Sequence, residues 1–268
     1  MIARLVIFIA SSVVLFPSFG FAQDGASPVV PVRDPRATTV ADATLKALAP
    51  QSVLADISLQ GTVSYTAGSD YQSGTFSFEA SGNNKSLTVL SLDGGGRQQV
   101  RSGPYGSSTD ATGQTRPMSI HNCWTDASWF YPALNLQALA NDLQVSILHM
   151  GLESRDGVSL HHLRLYRTIP GQTPGITADI QRLSAIDLYI DAKSYLPLVL
   201  EFQTHPDEDM KIDIPVEIRF ADYRLVNGIK VPFRIQKSLQ GSLLLDITLS
   251  GATVNSGLSD NLFAVQVE

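Results

Sequence analysis

The feature that most constrains this chain is a strict alternation of apolar and polar residues, repeated in segment after segment. Ile57, Leu59, Val63 and Tyr65 alternate with Ser58, Gln60, Thr62 and Ser64, and Phe76 and Phe78 alternate with Thr75, Ser77 and Glu79. The same period recurs at Ile186, Leu188 and Ile190, and at Leu198, Leu200 and Phe202. It runs on through Ile212–Phe220, Ile229–Ile235 and Leu243–Leu249. A period of two places successive side chains on opposite faces of a strand, so each segment has one apolar and one polar face. The punctuation agrees. Asp93-Gly94-Gly95-Gly96 closes the run Leu87–Leu92, and Asn227-Gly228 separates two long runs, both as hairpin turns. One alternation slips, between Leu160 and Leu163, and a bulge near His161-His162 is the expected cause.

Strands of this kind form an antiparallel sheet whose apolar face must be covered. Only two segments read as helices. Thr39–Leu48 carries Val40, Ala43, Ala47 and Leu48 at helical spacing before Pro50, and Trp129–Val145 carries Leu134, Leu136, Leu139 and Leu143. Two helices are too few to cover a flat sheet of about ten strands, whereas a curled sheet encloses its own apolar face. The expected class is therefore mainly β (α+β), a curved antiparallel sheet forming an unclosed half-barrel wrapped around covering helices. Its concave interior is either a filled core or a cavity for an apolar ligand. Residues 102–128, rich in Gly, Ser, Thr and Pro, read as a long loop.

The N-terminus has another character. Arg4, the apolar run Leu5–Phe16, and the small residues Gly20 and Ala22 before Gln23 make a secretory signal, cleaved after Ala22. The run is too short for a spanning helix of roughly 20 residues. The expectation is a signal peptide over 1–22, a Pro-rich flexible leader over 23–37, and one domain over 38–268 in the periplasm or outside the cell. The formal net charge of −6 gives no broad attraction for nucleic acid or anionic membranes. Cys123, the lone cysteine, has no internal disulfide partner and reads as a buried thiol.

Several phrases resemble a known family. Ile190-Asp191 followed by Tyr195-Leu196-Pro197 is similar to a strand–Asp–turn–Leu-Pro–strand hairpin of LolA-like proteins. Phe220-Ala221-Asp222-Tyr223-Arg224 with Val226-Asn227-Gly228-Ile229-Lys230-Val231-Pro232-Phe233 resembles the next hairpin, and the stretch Asn255–Phe263 resembles the C-terminal closure. The superfamily includes the lipoprotein carriers LolA and LolB and the regulator RseB. The resemblance implies an unclosed β-barrel covered by helices, with a hydrophobic cavity that holds acyl chains. Its motifs fix backbone geometry, so they speak to fold more than to function.

Catalytic patterns do not emerge. The five histidines, His121, His149, His161, His162 and His205, fall in no metal-binding frame. Adjacent His161 and His162 on a strand point to opposite faces, so they do not chelate one metal. His121 and Cys123 stand too close in sequence to make an oriented nucleophile and base. No Gly-x-Ser-x-Gly elbow occurs, and Gly94-Gly95-Gly96 leads into a strand, not into the helix start of a phosphate cradle. The acidic turn Asp207-Glu208-Asp209 lacks the ligand spacing of a calcium loop. These readings call for no enzyme, cofactor or metal. The expected partner is a hydrophobic ligand, a lipid or acyl chain, and the expected activity is that of a periplasmic carrier of lipid or lipoprotein. The alternative is an envelope interaction or sensor domain without lipid cargo. The aromatic group Trp124, Trp129, Phe130 and Tyr131 is the candidate cavity rim, with core packing as its plainer role.

Overall fold

The computed structural model describes residues 29–50, 54–82, 84–125 and 130–265. Within them, thirteen strands form one antiparallel sheet in the order β6-β5-β4-β3-β2-β1-β13-β12-β11-β10-β9-β8-β7. The strands run β1 Asp56–Ala67, β2 Asp70–Ser81, β3 Lys85–Leu92, β4 Gly95–Ser102, β5 Tyr105–Thr109, β6 Thr115–Pro117, β7 Val145–Arg155, β8 Val158–Arg167, β9 Ile186–Asp191, β10 Pro197–Thr204, β11 Ile214–Val226, β12 Ile229–Leu239 and β13 Ser242–Val254. Two meanders, β1–β6 and β7–β13, meet where β1 pairs with β13. Edge strands β6 and β7 do not pair, so the barrel is unclosed.

The concave face is built from the apolar phase of the alternation. Leu59, Val63, Phe76, Phe78, Ile218, Phe220, Ile235 and Ile247 are all buried in one continuous core. Helix α1 (Pro35–Leu48) packs on helix α3 (Pro132–Asn141), and both lie against β7, with α1 reaching β12. The two hairpin turns form as expected. β3 and β4 join at Asp93-Gly94, and Asn227 and Gly228 take φ of 47° and 84° between β11 and β12.

The structure differs from the sequence expectation at five places. Helix α1 starts at Pro35, because Asp34 caps it by accepting from Arg36 N (2.7 Å) and Pro35 is preset for the first turn. Residues 35–37 of the supposed leader are thus helical, and Ala37 is fully buried. Helix α3 stops at Asn141 instead of Val145. Arg33 donates to the carbonyls of Ala140 and Asp142 at its end, and Asp142 Oδ1 accepts from Gln144 N to turn the chain into β7. Leu143, placed on the helix's apolar face by the pattern, is 86% exposed.

Residues 102–128 are not a plain loop. They contain β5, β6 and helix α2 (Ile120–Thr125). β5 escapes the alternation test because its inward positions are Gly106 and Ser108, and β6 is three residues long. Gly106 allows a close approach there, since a β-carbon would lie 2.9 Å from Cys123 Sγ and 3.0 Å from Met118 Sδ. Finally, β8 pairs with β9 without a break, so no bulge falls at His161-His162. The bulge is opposite, in β7 at Met150, beside Gly151 at φ 133°. Leu160 breaks the alternation for a different reason. It faces the convex side and packs with Tyr189 and Val199 in a second, smaller cluster. A further helix, α4 (Pro174–Leu183), is capped by Thr173 and buries only Thr177 and Leu183, too little apolar surface to show in the sequence.

Candidate functional site

Among the described residues, part of the concave face stays uncovered. There a cavity of about 210 Å³ lies over β1, β3, β4 and the β12–β13 hairpin. Its apolar lining is Tyr65, Leu90, Phe130, Leu244 and Leu245. The register explains the pair of leucines. Lys237 faces Leu245 and Ser238 faces Leu243, so Leu244 is an extra residue in β13. A bulge of this kind re-aims side chains, and here two successive leucines line the same hollow. Phe130 forms the opposite wall, held edge-on against Phe76 (5.4 Å) and Phe78 (5.6 Å).

Polar groups border the same space: Thr88, Arg97, Gln99, Ser108, Asp110 and Lys237. The Arg97 guanidinium sits 4.4 Å over the Tyr65 ring and donates to Gln72 Oε1 at 3.1 Å. Lys237 occupies the inward position that follows Val231, Phe233 and Ile235, and is 9% exposed. Asp110 turns away into its own loop, where Oδ1 accepts from Thr112 N, Thr112 Oγ1 and Gln114 N. Those bonds hold its carboxyl below the usual carboxylate range.

Of the four aromatic residues singled out in the sequence, the three described ones lie in different settings. Phe130 lines the cavity. Tyr131 is wholly buried, donates to Lys230 O at 3.2 Å, and has its phenol pushed far up by burial. Trp124 lies elsewhere, beside Leu139, Val145 and Leu165, with Arg167 6.0 Å from its ring. Trp129 falls outside the described residues. The sequence reading missed Arg97, Lys237 and the two leucines. The signal was present in Lys237, a charge on the apolar phase of β12.

Helix α2 contacts both β5 and β10. On one flank Cys123 rests on Gly106 of β5, and on the other Asn122 brackets the end of β10. Asn122 Nδ2 donates to His205 O (2.8 Å), and its Oδ1 accepts from His205 N (3.0 Å) and Thr204 Oγ1 (3.1 Å). The His121 and His205 rings meet edge to face at 5.2 Å. Burial lowers the pKa of both. For His205 it outweighs the hydrogen bond to Asp213.

The convex face carries the densest polar cluster. His162 lies between Glu153 (2.5 Å) and Asp187 (2.6 Å), stacked on Tyr189 at 4.5 Å. Arg164 grips Asp187 through two bonds, and Arg155 bridges Glu201 while covering Tyr189 at 3.5 Å. Burial disfavours the His162 cation, but its bonds to Asp187 and Glu153 win and raise its pKa. In the protonated form both ring nitrogens donate to these carboxylates, which is the form that the cluster favours. Among the described residues, no group of three or more His, Cys, Asp or Glu side chains is placed to hold a metal ion.

With the sheet and its cavity in view, solved structures give a comparison. A DUF1329 family protein from Desulfovibrio piger superposes with a TM-score of 0.54 at 14% identity, over 88% of this chain and 98% of the other. A LolA superfamily protein from Nitrosomonas europaea gives 0.53 at 15%, over 85% and 97%. The fold is LolA-like. A putative outer membrane lipoprotein-sorting protein domain from Vibrio parahaemolyticus gives 0.52 at 13%, over 84% and 95%. No family model matches the sequence, and the curated proteins show no match either. At these identities the LolA-like likeness is one of fold. No described helix is long and apolar enough to cross a membrane.

Proposed function

We propose that this protein is an exported periplasmic carrier or binding protein that holds an acyl chain of a lipid or lipoprotein, and that it acts by binding without chemistry. The carrying observation is the hollow under Phe130, where a bulge turns Leu244 and Leu245 into open space on the concave face. Apolar walls with a few polar groups at the border suit an amphiphile. The LolA-like fold of the comparison structures supports the same reading. Within the aromatic group, Phe130 is the residue assigned to the ligand. The test is native mass spectrometry of protein isolated from the periplasm, followed by lipid extraction. A mass adduct that the extract identifies as an acylated molecule is expected. Protein without adduct that also fails to take up added fatty acid would refute the reading.

One observation favours the rival, an envelope interaction or sensor domain. At about 210 Å³ the hollow is smaller than the roughly 300–1,000 Å³ usual for small-molecule pockets. Crosslinking in intact cells separates the two. Lipid-free protein captured with one specific envelope protein would support the rival.

A further inference from the structure

We infer that His149 and His161 together bind one divalent transition-metal ion of the kind that imidazole suits, Zn²⁺ or Cu²⁺, beside the start of helix α1. The site lies apart from the hollow under Phe130 and does not depend on the acyl-binding reading.

The pair forms where two inward rows of the sheet stop being apolar. In β7 the inward side chains run Val145, Ile147, His149, and alongside them in β8 run Leu165, Leu163, His161. The four aliphatic residues are buried in the main core, and each row ends in a half-buried histidine. His149 is paired with Leu163, which makes His161 its diagonal neighbour, within reach of a long side chain. The bulge at Met150 falls between them and twists β7 at that point. The outcome is that His149 Nε2 lies 3.1 Å from His161 Nδ1. Sequence spacing hides the pair, because its members come from different strands.

The separation suits chelation. Two nitrogens each about 2.0–2.1 Å from one metal lie about 2.9 Å apart at a right angle and about 3.4 Å apart at a tetrahedral one, and 3.1 Å falls between. Without a metal, one ring donates its proton to the other. A metal takes the place of that proton, which moves to the outer nitrogen of the same ring, His149 Nδ1 or His161 Nε2. Among the described residues neither outer nitrogen has a hydrogen-bond partner, so either is free to take it. Burial, and after it the charge of Arg36, lowers the pKa of both rings, so both are neutral ligands at neutral pH. Tyr195 stacks on His161 at 5.7 Å and fixes the plane of that ring. Asp34, whose Oδ2 accepts from His149 N at 3.4 Å, offsets Arg36 at the His149 ring, while His162 adds a weaker positive influence from the opposite face. No third His, Cys, Asp or Glu among the described residues is placed to ligate, so water fills the remaining positions and the site is open.

The experiment uses protein purified without a histidine tag and stripped with EDTA, with Zn²⁺ and Cu²⁺ as the probes at pH 7.5. Isothermal titration is expected to give one Zn²⁺ per chain with a micromolar Kd, and weaker binding at pH 5, where protons compete for the nitrogens. Zn²⁺ at about 100 times Kd should raise Tm by about 5 °C or more. His149→Gln and His161→Gln should each weaken binding by about tenfold or more, at least what losing an outer-shell partner costs, and remove most of that Tm shift. Both positions are half-buried, so both variants are expected to fold, and melts without metal check it. The Cu²⁺ EPR spectrum of the parent protein needs no variant and should show hyperfine coupling to two nitrogens. No micromolar binding of either ion by the parent protein would overturn the inference. So would binding that both variants keep undiminished, or coupling to a single nitrogen. None of these results touches the acyl-binding reading, which uses other residues.

Discussion

Replacing Phe130 by alanine tests packing and site together. The ring is 5% exposed and meets Phe76 and Phe78 edge-on. Phe→Ala in a closed core costs about 3–5 kcal/mol, and each aromatic pair adds about 0.5–1.5 kcal/mol beyond area burial. Here one face of the ring already borders a hollow, so less close contact is lost on that side. The expected cost therefore falls at the lower end, about 3 kcal/mol. With a urea m-value of about 3 kcal/mol/M, the unfolding midpoint should drop by about 1 M with m unchanged. Equilibrium unfolding followed by tryptophan fluorescence measures this, and Phe130→Leu should recover about half of the loss. The neutral fluorophore N-phenyl-1-naphthylamine, used as a probe of the hollow, should still bind the alanine variant, because truncation enlarges the hollow. A midpoint shift under about 0.3 M would refute the packing argument. Loss of probe binding in a folded Phe130→Ala variant would show that the ring supplies the affinity itself, against the view of a wall lined chiefly by the bulged leucines.

Two further predictions concern the polar clusters. His162 has a raised pKa in the folded protein, so its contribution is fully present below about pH 6.5, the unfolded value, and is lost as pH rises through the folded one. His205 has the opposite sign: its lowered pKa gives stability present above about pH 6.5 and lost as pH falls. Denaturation midpoints across pH 5–9 should therefore show His162→Gln costing more at the acid end, about 2 kcal/mol there, because Asp187 keeps Arg164 as a partner. An equal cost at both ends would contradict the assignment. Gly106→Val should push α2 off β5, since even a β-carbon there meets Cys123 Sγ at 2.9 Å. The buried Cys123 thiol should then react with Ellman's reagent far faster than in the parent protein, and unchanged reactivity would refute the close approach.

The sheet was legible because its long strands keep one apolar face and its turns carry Asp-Gly and Asn-Gly. The missing parts failed for definite reasons. β5 offers Gly106 and Ser108 inward, so it shows no apolar phase. The first residue of β7 was absorbed into a helical pattern because Leu143 continues that pattern while lying in solvent. The slip at Leu160 was real, but it reported a second cluster on the convex face, not a bulge. The site was least legible. Lys237 shows itself only as a charge on the apolar phase of β12, Arg97 looks like an ordinary surface charge until the pairing fixes which phase faces inward, and the bulge at Leu244 is a property of register between two strands. Of the described members of the aromatic group, Phe130 lines the cavity, whereas Tyr131 is buried against Lys230 and Trp124 packs beside α3.

The order of the strands has a consequence for how the molecule is made. The seam between β1 and β13 lies in the middle of the sheet, yet it joins segments from near the two ends of the chain. Ala55 N, for instance, donates to Asn255 Oδ1 across 200 positions. Every other strand pairing is between sequence neighbours. A ribosome releases the first meander long before the last strand exists, so β1 waits as a bare edge until the C-terminus emerges. Contacts of such separation carry the largest loop-closure entropy and set the pace of folding. The hollow borders that seam, with Tyr65 on one side and Leu245 on the other, so a ligand can be held only by a chain that has finished folding.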